Sequence, residues 1–240
     1  MLVLAIDTST SMSAVGWVEA DAGTPNPVAT RFARLVAPAE PGHAETLIDR
    51  MTAALATGGH TLAEVGLLVF GRGPGTFTGL RIGLGTAKGL SLSLGTPLVG
   101  ISSLEALAIS AGAEGPVAPL IDARRGELYA ALYDVRFDAC RPVARLTRAE
   151  QVVTPESLGA ALDLGACQSR VRFVGNGAVR YADTVRPLGD LLPLATSAPD
   201  PYRMALVGLE RYLRDGPQDA AALEPTYLRE PDAKLPAAVR

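Results

Sequence analysis

Two related α/β half domains, each built on a mixed sheet, are the fold class that this sequence predicts, and three observations predict it. The chain opens on an apolar run, Leu2 to Ile6, that ends in Asp7-Thr8-Ser9-Thr10. A second apolar run, Val65 to Phe70, feeds the stretch Gly71 to Gly89, which passes from a glycine turn cluster into a helical pattern. A third, Val117 to Asp122, again ends on an aspartate, and Leu128 to Asp134 follows it as a second apolar segment.

The elements follow in order. Leu2 to Ile6 reads as the first strand. Its closing tetrapeptide makes a plain polar turn, because Asp, Ser and Thr bond their own backbone in turns. The same acidic-hydroxyl turn is where actin-like ATPases and sugar kinases hold metal-bound phosphates. On the tetrapeptide alone the plain turn is favoured. Ala14 to Val18, carrying Trp17, is the second strand, and Val28 to Val36 the third, after the turn from Gly23 to Pro27. Ala44, Leu47, Ile48, Met51 and Leu55 recur at helical spacing, and Gly58-Gly59 closes that helix. The strand Val65 to Phe70, a helix from Gly79 to about Leu94 stopped by Gly95 and Pro97, and a strand from Leu98 to Ile101 complete the half. Three strands, a helix, a strand, a helix and a strand is the succession of a ribonuclease H-like half domain. A fold pattern does not by itself establish activity.

The glycine stretch invites a phosphate-site reading, since loop amides and a helix N-terminus attract anions. Its detail does not fit one. Lys88 follows Ala87 and precedes Gly89, which is not the end of a P-loop, and Gly71-Arg-Gly-Pro-Gly-Thr76 lacks the last glycine of a dinucleotide fingerprint. Packing is the favoured role. Gly79 and Gly83 share one helix face, and Gly85 and Gly89 share another about 120° away at ~100° per residue. Each costs roughly 1 kcal/mol of helix propensity against alanine, so close backbone approach is expected on the sheet side and against a partner helix. Arg81 and Lys88 fall on one face, bordering the Gly85/Gly89 stripe. They and the short span exclude a membrane helix.

The second half begins after Ser102-Ser-Leu-Glu105, a capping-box signature, and the half domains are drawn at 1–108 and 109–240, with room for the tail to pack back. Asp122 stands where a second phosphate loop starts in a true ATPase, and Ala123-Arg-Arg-Gly-Glu127 reads as a solvated charged turn. Thr154-Pro155 is expected to cap a helix running through Leu162. Val171 to Val174 is a strand, and Gly175-Asn176-Gly177 opens a helix reaching about Val185. This glycine turn is read equally as an adenosine loop and as a plain strand-to-helix turn. Met204 to Leu213 is a last amphipathic helix, and Pro217 to Arg240 an extended or fraying tail.

Composition bounds the function. At 240 residues with a formal net charge of −3 and basic residues dispersed along the chain, nothing marks an autonomous nucleic-acid binder. Two cysteines, Cys140 and Cys167, are too few for a disulfide framework or a metal knuckle. Met1 leads straight into the first strand with no basic n-region, so a cytoplasmic protein is expected, without signal peptide or membrane span. His43 and His60 are too far apart to form a ligand pair on one helix, and no nucleophile elbow is present. The enzyme constellation left is Asp7 and Asp122 meeting across a cleft between the halves.

Leu4-Ala-Ile-Asp-Thr-Ser9, His43-Ala-Glu-Thr-Leu47, Gly71 through Gly83, Thr86-Ala-Lys-Gly89 and Gly100-Ile-Ser-Ser-Leu-Glu105 resemble the bacterial TsaB (YeaZ) family. Asp122-Ala-Arg-Arg-Gly-Glu127, Gly175-Asn-Gly177 and Pro225-Thr-Tyr-Leu-Arg229 extend the resemblance over nearly the whole chain, with roughly Asp134 to Arg170 matched least. The resemblance implies an actin-like (ribonuclease H-like) fold of two half domains with no catalytic activity of its own. It implies support for synthesis of threonylcarbamoyladenosine at position 37 of tRNAs that read codons beginning with A. The partners implied are a TsaD-like transferase, which carries a histidine-pair metal site that this chain lacks, a TsaE-like ATPase, and a second copy of the chain when alone. tRNA is met through the complex, and ATP and metal belong to the partner subunits. Pairing through the first two helices carries over to His43, Leu47, Met51, Gly79, Arg81, Gly83, Gly85, Lys88 and Gly89. A vestigial or junction nucleotide site would fall on Asp7, Thr8, Ser9, Asp122, Gly175, Asn176 and Gly177. The competing class is an actin-like ATP-dependent small-molecule kinase or a metallopeptidase-like enzyme using Asp7, Asp122 and the Gly175 turn.

Overall fold

The structure is a computed structural model that describes residues 1–21, 23, 29–38, 43–138, 141–193 and 197–229, leaving aside the side chains of 43–45. The 24–28 turn, the His43 side chain, Cys140 and the end of the tail from 230 lie outside the described residues.

The first half is a five-stranded sheet of order β3-β2-β1-β4-β5. Its strands are β1 (Leu2–Asp7), β2 (Met12–Ala20), β3 (Ala29–Pro38), β4 (Leu67–Gly71) and β5 (Leu98–Ile101). β1 pairs antiparallel with β2 and parallel with β4. It is central and buried along its whole length, which explains its unbroken apolar sequence. The second half repeats the plan with β6 (Gly115–Arg124), β7 (Glu127–Asp138), β8 (Arg141–Val153), β9 (Arg172–Val174) and β10 (Asp190–Leu191), in the order β10-β9-β6-β7-β8. An antiparallel meander followed by parallel strands, given twice, is the duplicated ribonuclease H-like arrangement of the actin-like fold.

Helices α1 (His43–Ala56) and α2 (Phe77–Leu94) cover the outer face of the first sheet, placing Leu47, Met51, Leu55, Leu84 and Ala87 against Leu4, Ile6, Leu68 and Phe70. The inner faces hold an exchange. Helix α3 (Ser103–Ser110), which ends the first half, lays Leu104, Leu107 and Ala108 on Val117, Ile121, Tyr133 and Val135 of the second sheet. The last helix, α7 (Pro201–Asp215), lies on the first sheet, with Met204, Ala205 and Leu209 among Val3, Ala5, Val69 and Val99. The outer face of the second sheet carries only short helices: α4 (Leu158–Ala161), α5 (Asn176–Arg180) and α6 (Ala182–Val185).

Several expectations change in detail. Ser102 caps α3 by accepting from the Glu105 amide at 3.3 Å, but the box is not reciprocal, because the Glu105 carboxylate is drawn to Arg211 of α7. The helix expected from Thr154 is one turn long. Thr154 and Ser157 bond each other in a turn, and the helix starts after it. The helix after Gly175 breaks at Tyr181 into α5 and α6. The tail does not fray over 217–229: Gln218 bridges to Leu98, Leu223 enters the first core, and the Thr226 amide donates to the Arg72 carbonyl at 2.7 Å. Arg229 then reaches the Ala123 carbonyl and the Glu127 carboxylate, so the charged turn of the second half is tied to the tail rather than left to solvent.

That strap explains the glycine at 73. Its φ is +108°, and a Cβ there would stand 2.7 Å from the Thr226 carbonyl oxygen. Gly73→Val therefore meets both a conformational and a steric cost, and its stability should fall by roughly 1–3 kcal/mol. Urea unfolding of the variant beside the wild type reads this directly, and an unchanged midpoint is the contrary result.

Candidate functional site

The turn after β1 is sealed by the glycine loop. Asp7 is 1% exposed. Its Oδ1 accepts from the Ser9 amide at 2.9 Å and the Ser9 hydroxyl at 2.7 Å, and its Oδ2 accepts from the Ser103 hydroxyl at 3.2 Å. The Thr8 hydroxyl donates to the Gly79 carbonyl at 2.7 Å, and the Thr76 amide to the Ser9 carbonyl at 2.7 Å. Side chains are excluded where the loop crosses. A Cβ on Gly71 would overlap the Asp7 carboxylate, one on Gly75 the Ser9 carbonyl, and one on Gly79 the Thr8 carbonyl. Burial pushes the Asp7 carboxyl above its ordinary range, and the Ser9 and Ser103 hydrogen bonds offset part of that rise.

Asp122 keeps different company. Its carboxylate pairs with Arg180 at 2.9 Å, and its amide donates to the Asn176 side chain at 3.1 Å. Cβ atoms on Gly175 or Gly177 would strike the Leu120 carbonyl, so this turn is a close seating of α5 on β6. The two aspartates do not form a pair across a cleft: Asp7 is walled in, and each carboxylate has its own partners. Among the described residues no group of three or more His, Cys, Asp or Glu could hold a metal ion. His60 packs edge-on against Trp17 with ring centroids 4.8 Å apart.

The open surface is on α1 and α2. Gly79 and Gly83 are buried on Thr8, whereas Gly85 and Gly89 are exposed, and a Cβ on either would meet nothing within 4 Å. With Ile48, Ile82, Thr86 and Leu90 they line a shallow groove of about 640 Å³. Leu92, 83% exposed, belongs to the same helix. Leu47 and Met51 do not line this surface. Both are fully buried and hold α1 to the sheet, because the face one residue over, at Ile48, turns outward. Arg81 stacks on Phe77 at 3.8 Å from the ring centroid and donates to the Tyr227 hydroxyl at 3.4 Å, while Lys88 donates to the Ala221 carbonyl at 3.4 Å. Both cations thus lean on the tail. Sequence reasoning did not single out as site residues the exposed Ile48, Phe77 and Tyr227 or the half-buried Ile82 and Leu90, although apolar side chains beside bare glycines are a signal of a candidate interaction surface.

Residues 37–237 match the family model described as TsaD: tRNA N6-adenosine threonylcarbamoyltransferase. The Haemophilus influenzae tRNA threonylcarbamoyladenosine biosynthesis protein TsaB is 32% identical over 95% of this chain and 94% of its own length. The chain belongs to the TsaB (YeaZ) family. The Escherichia coli TsaB protein is 39% identical over 137 residues, a match that spans only 55% of either chain. The solved YeaZ structure from Pseudomonas aeruginosa superposes on this TsaB-family chain with a TM-score of 0.78 at 28% identity, covering 95% of this chain and 99% of the other. Among the described residues no helix is long and apolar enough to cross a membrane.

Two tests probe this geometry. Alanine at 79 and at 85 should act in opposite directions. Gly79→Ala forces β1 and α2 apart and should cost on the order of 1–3 kcal/mol. Gly85→Ala adds helix propensity in open space and should stabilise by up to about 1 kcal/mol. Thermal melts of the pair that shift in the same direction would refute the face assignment. The second test concerns Asp7. Its raised native pKa means that the folded state holds the proton to higher pH than the unfolded chain does. The stability it contributes is therefore full below the unfolded value near 3.8 and is lost as pH rises through the native value. Asp7→Asn, which cannot titrate, should flatten that fall in urea midpoints measured between about pH 3 and 7.

Proposed function

We propose that this chain is a non-catalytic scaffold and activator in the formation of N6-threonylcarbamoyladenosine at position 37 of tRNAs reading codons that begin with A. It pairs with a TsaD-like transferase through the α1–α2 face, and with a second copy of itself when the transferase is absent. A TsaE-like ATPase joins the pair, ATP and metal are held by those subunits, and the assembly works in the cytoplasm. The observation that carries the reading is the groove in which Gly85 and Gly89 face open space beside the exposed Ile48 and the half-buried Ile82 and Leu90. Two helix backbones approach closely only where side chains are missing, and glycine in mid-helix costs about 1 kcal/mol unless something gains from it. Relatives bearing the name of threonylcarbamoyladenosine biosynthesis supply the reaction.

The non-catalytic part of the reading rests on the turn after β1. The groups that would meet a phosphate there, the Thr8 and Ser9 hydroxyls and the Ser9 amide, are already spent on Gly79 and Asp7. A kinase of this fold would need them free.

Gly85→Leu is the deciding variant. It should fold and melt no lower than wild type, since leucine also adds helix propensity in open space, but lose co-elution with the transferase subunit, because the added side chain holds the helices apart. Normal pairing by this variant counts against the interface. The isolated chain should show negligible ATP turnover, and turnover abolished by Asp7→Ala would favour the kinase reading instead.

A further inference from the structure

The outer faces of the two sheets are covered unequally. On the first half, α1 and α2 run the length of the sheet; on the second, α4, α5 and α6 are each about a turn long. The apolar outer face at Leu128, Ala130 and Leu132 is covered by Leu158 and Leu162. Beyond Leu132 the same face turns polar, and a cleft of about 400 Å³ opens between β7, β8 and the segment 166–169.

Strand register fills this cleft with arginine. Asp134 of β7 lies opposite Arg145 of β8, Leu132 opposite Arg148, and Arg136 follows Asp134 on the same face by the two-residue alternation of a strand. The Asp134 carboxylate is shared, with Arg136 at 3.2 Å and Arg145 at 3.8 Å from one oxygen. Arg148, a third arginine of the lining, pairs with Asp163 at 2.6 Å. Two guanidinium groups thus share one carboxylate oxygen, and among the described residues no second carboxylate is paired with either of them. Thr147, Gln168 and Ser169 supply neutral polar groups along the rim. Planar guanidinium forks recognise phosphate oxygens bidentately, and a shared carboxylate keeps both forks pointing into one space.

We infer that this cleft on the second half is an RNA contact, taking phosphodiester groups of the tRNA on Arg136 and Arg145, with Asp134 orienting them. The inference rests on the function proposed above, which brings tRNA to the assembly, and it gives this chain a direct share in holding it. The arginines are scattered in sequence, and the β7–β8 pairing alone makes them a patch.

The test titrates the purified chain, alone and with its transferase partner, with an unmodified transcript of a tRNA that reads codons beginning with A, at several salt concentrations. Arg136→Gln with Arg145→Gln should weaken binding about tenfold and lower the salt slope by about one for each lost phosphate contact. Asp134→Asn keeps an acceptor oxygen that orients both guanidinium groups but removes the charge that competes with phosphate, so it should tighten binding; a merely structural ion pair predicts no gain. The side chains of Arg136 and Arg145 are 78% and 75% exposed, so the double variant should melt as wild type does. Wild-type affinity and slope in the double variant, or no tightening by Asp134→Asn, overturns the inference. So does tight calorimetric binding of inorganic phosphate that the double variant loses, which would assign the cleft to a free anion. Failure of the wild-type chain to co-elute with the transferase refutes the proposed function instead, and titration of the chain alone still decides the cleft.

Discussion

The seating of the glycine loop on the end of β1 is the contact on which the rest of the molecule depends. Backbone meets backbone there: Gly75 against the Ser9 carbonyl and Gly79 against the Thr8 carbonyl, at separations that leave no room for a Cβ. Interiors pack too densely for such a contact to be loosened without moving what it supports. It fixes the start of α2, and through α2 the groove against α1. It also holds Gly73 where the tail's Thr226 can cross it. The same contact disposes of the polar groups after β1. In an open phosphate loop, hydroxyls and amides wait for a ligand; here the helix carbonyl and the Asp7 carboxylate already use them. One packing solution both positions the helix that carries the exposed Gly85 and Gly89 and spends the polar groups of the turn after β1.

The second constraint joins the halves. Each inner helix sits on the other half's sheet, and polar groups tie the exchange together. Glu105 of α3 pairs with Arg211 of α7, Ser102 donates to Glu150 of β8, and the Tyr133 hydroxyl donates to the same carboxylate at 2.8 Å. Burial pushes the Tyr133 hydroxyl far above its ordinary range, with the Glu150 charge adding to it, so it serves as a fixed donor at every physiological pH. The tail adds a third tie, running from β5 past Gly73 to Glu127. An enzyme that closes its halves over a ligand needs freedom at this junction. The scaffold role proposed above needs no such freedom.

Legibility in the sequence followed the density of local signals. Leu98 to Ile101 reads correctly to the residue, and the first half's order of elements is recovered whole, because its central strands are apolar runs bounded by glycine, proline or a hydroxyl turn and its helices keep a clear period. The two glycine faces of α2 are legible for the same reason: helical period alone separates Gly79 and Gly83 from Gly85 and Gly89. Strand β8 is not legible. Its residues Arg141 to Val153 alternate between charged and apolar without a strong β-branched run, and it is an edge strand whose pairing with β7 is broken by register shifts. The exchange of α3 and α7 is likewise invisible, since periodicity says that a helix is amphipathic but not which sheet receives it. Leu47 and Met51 stand among the interface residues that the family resemblance implies, and only the tertiary structure says that their stripe of α1 faces the sheet.

The asymmetry between the two outer faces follows from these constraints. Both halves share one strand order, yet the first spends two long helices on its outer face and the second only single turns. A long helix with bare glycines presents a rigid, largely apolar, side-chain-poor surface, which suits another helix, and its one lining cation among the described residues, Arg81, is stacked on Phe77. A sheet end left uncovered must instead satisfy water with polar side chains, and on β7 and β8 those are arginines gathered around a single aspartate. Such a surface gains little from apolar contact, but it gains from phosphate through charge and counterion release. One strand order thus occurs twice, and the difference in helix length is what gives the two outer faces the different surfaces on which the proposed protein and RNA contacts rest. The sheets need not differ for this; only what lies on them does.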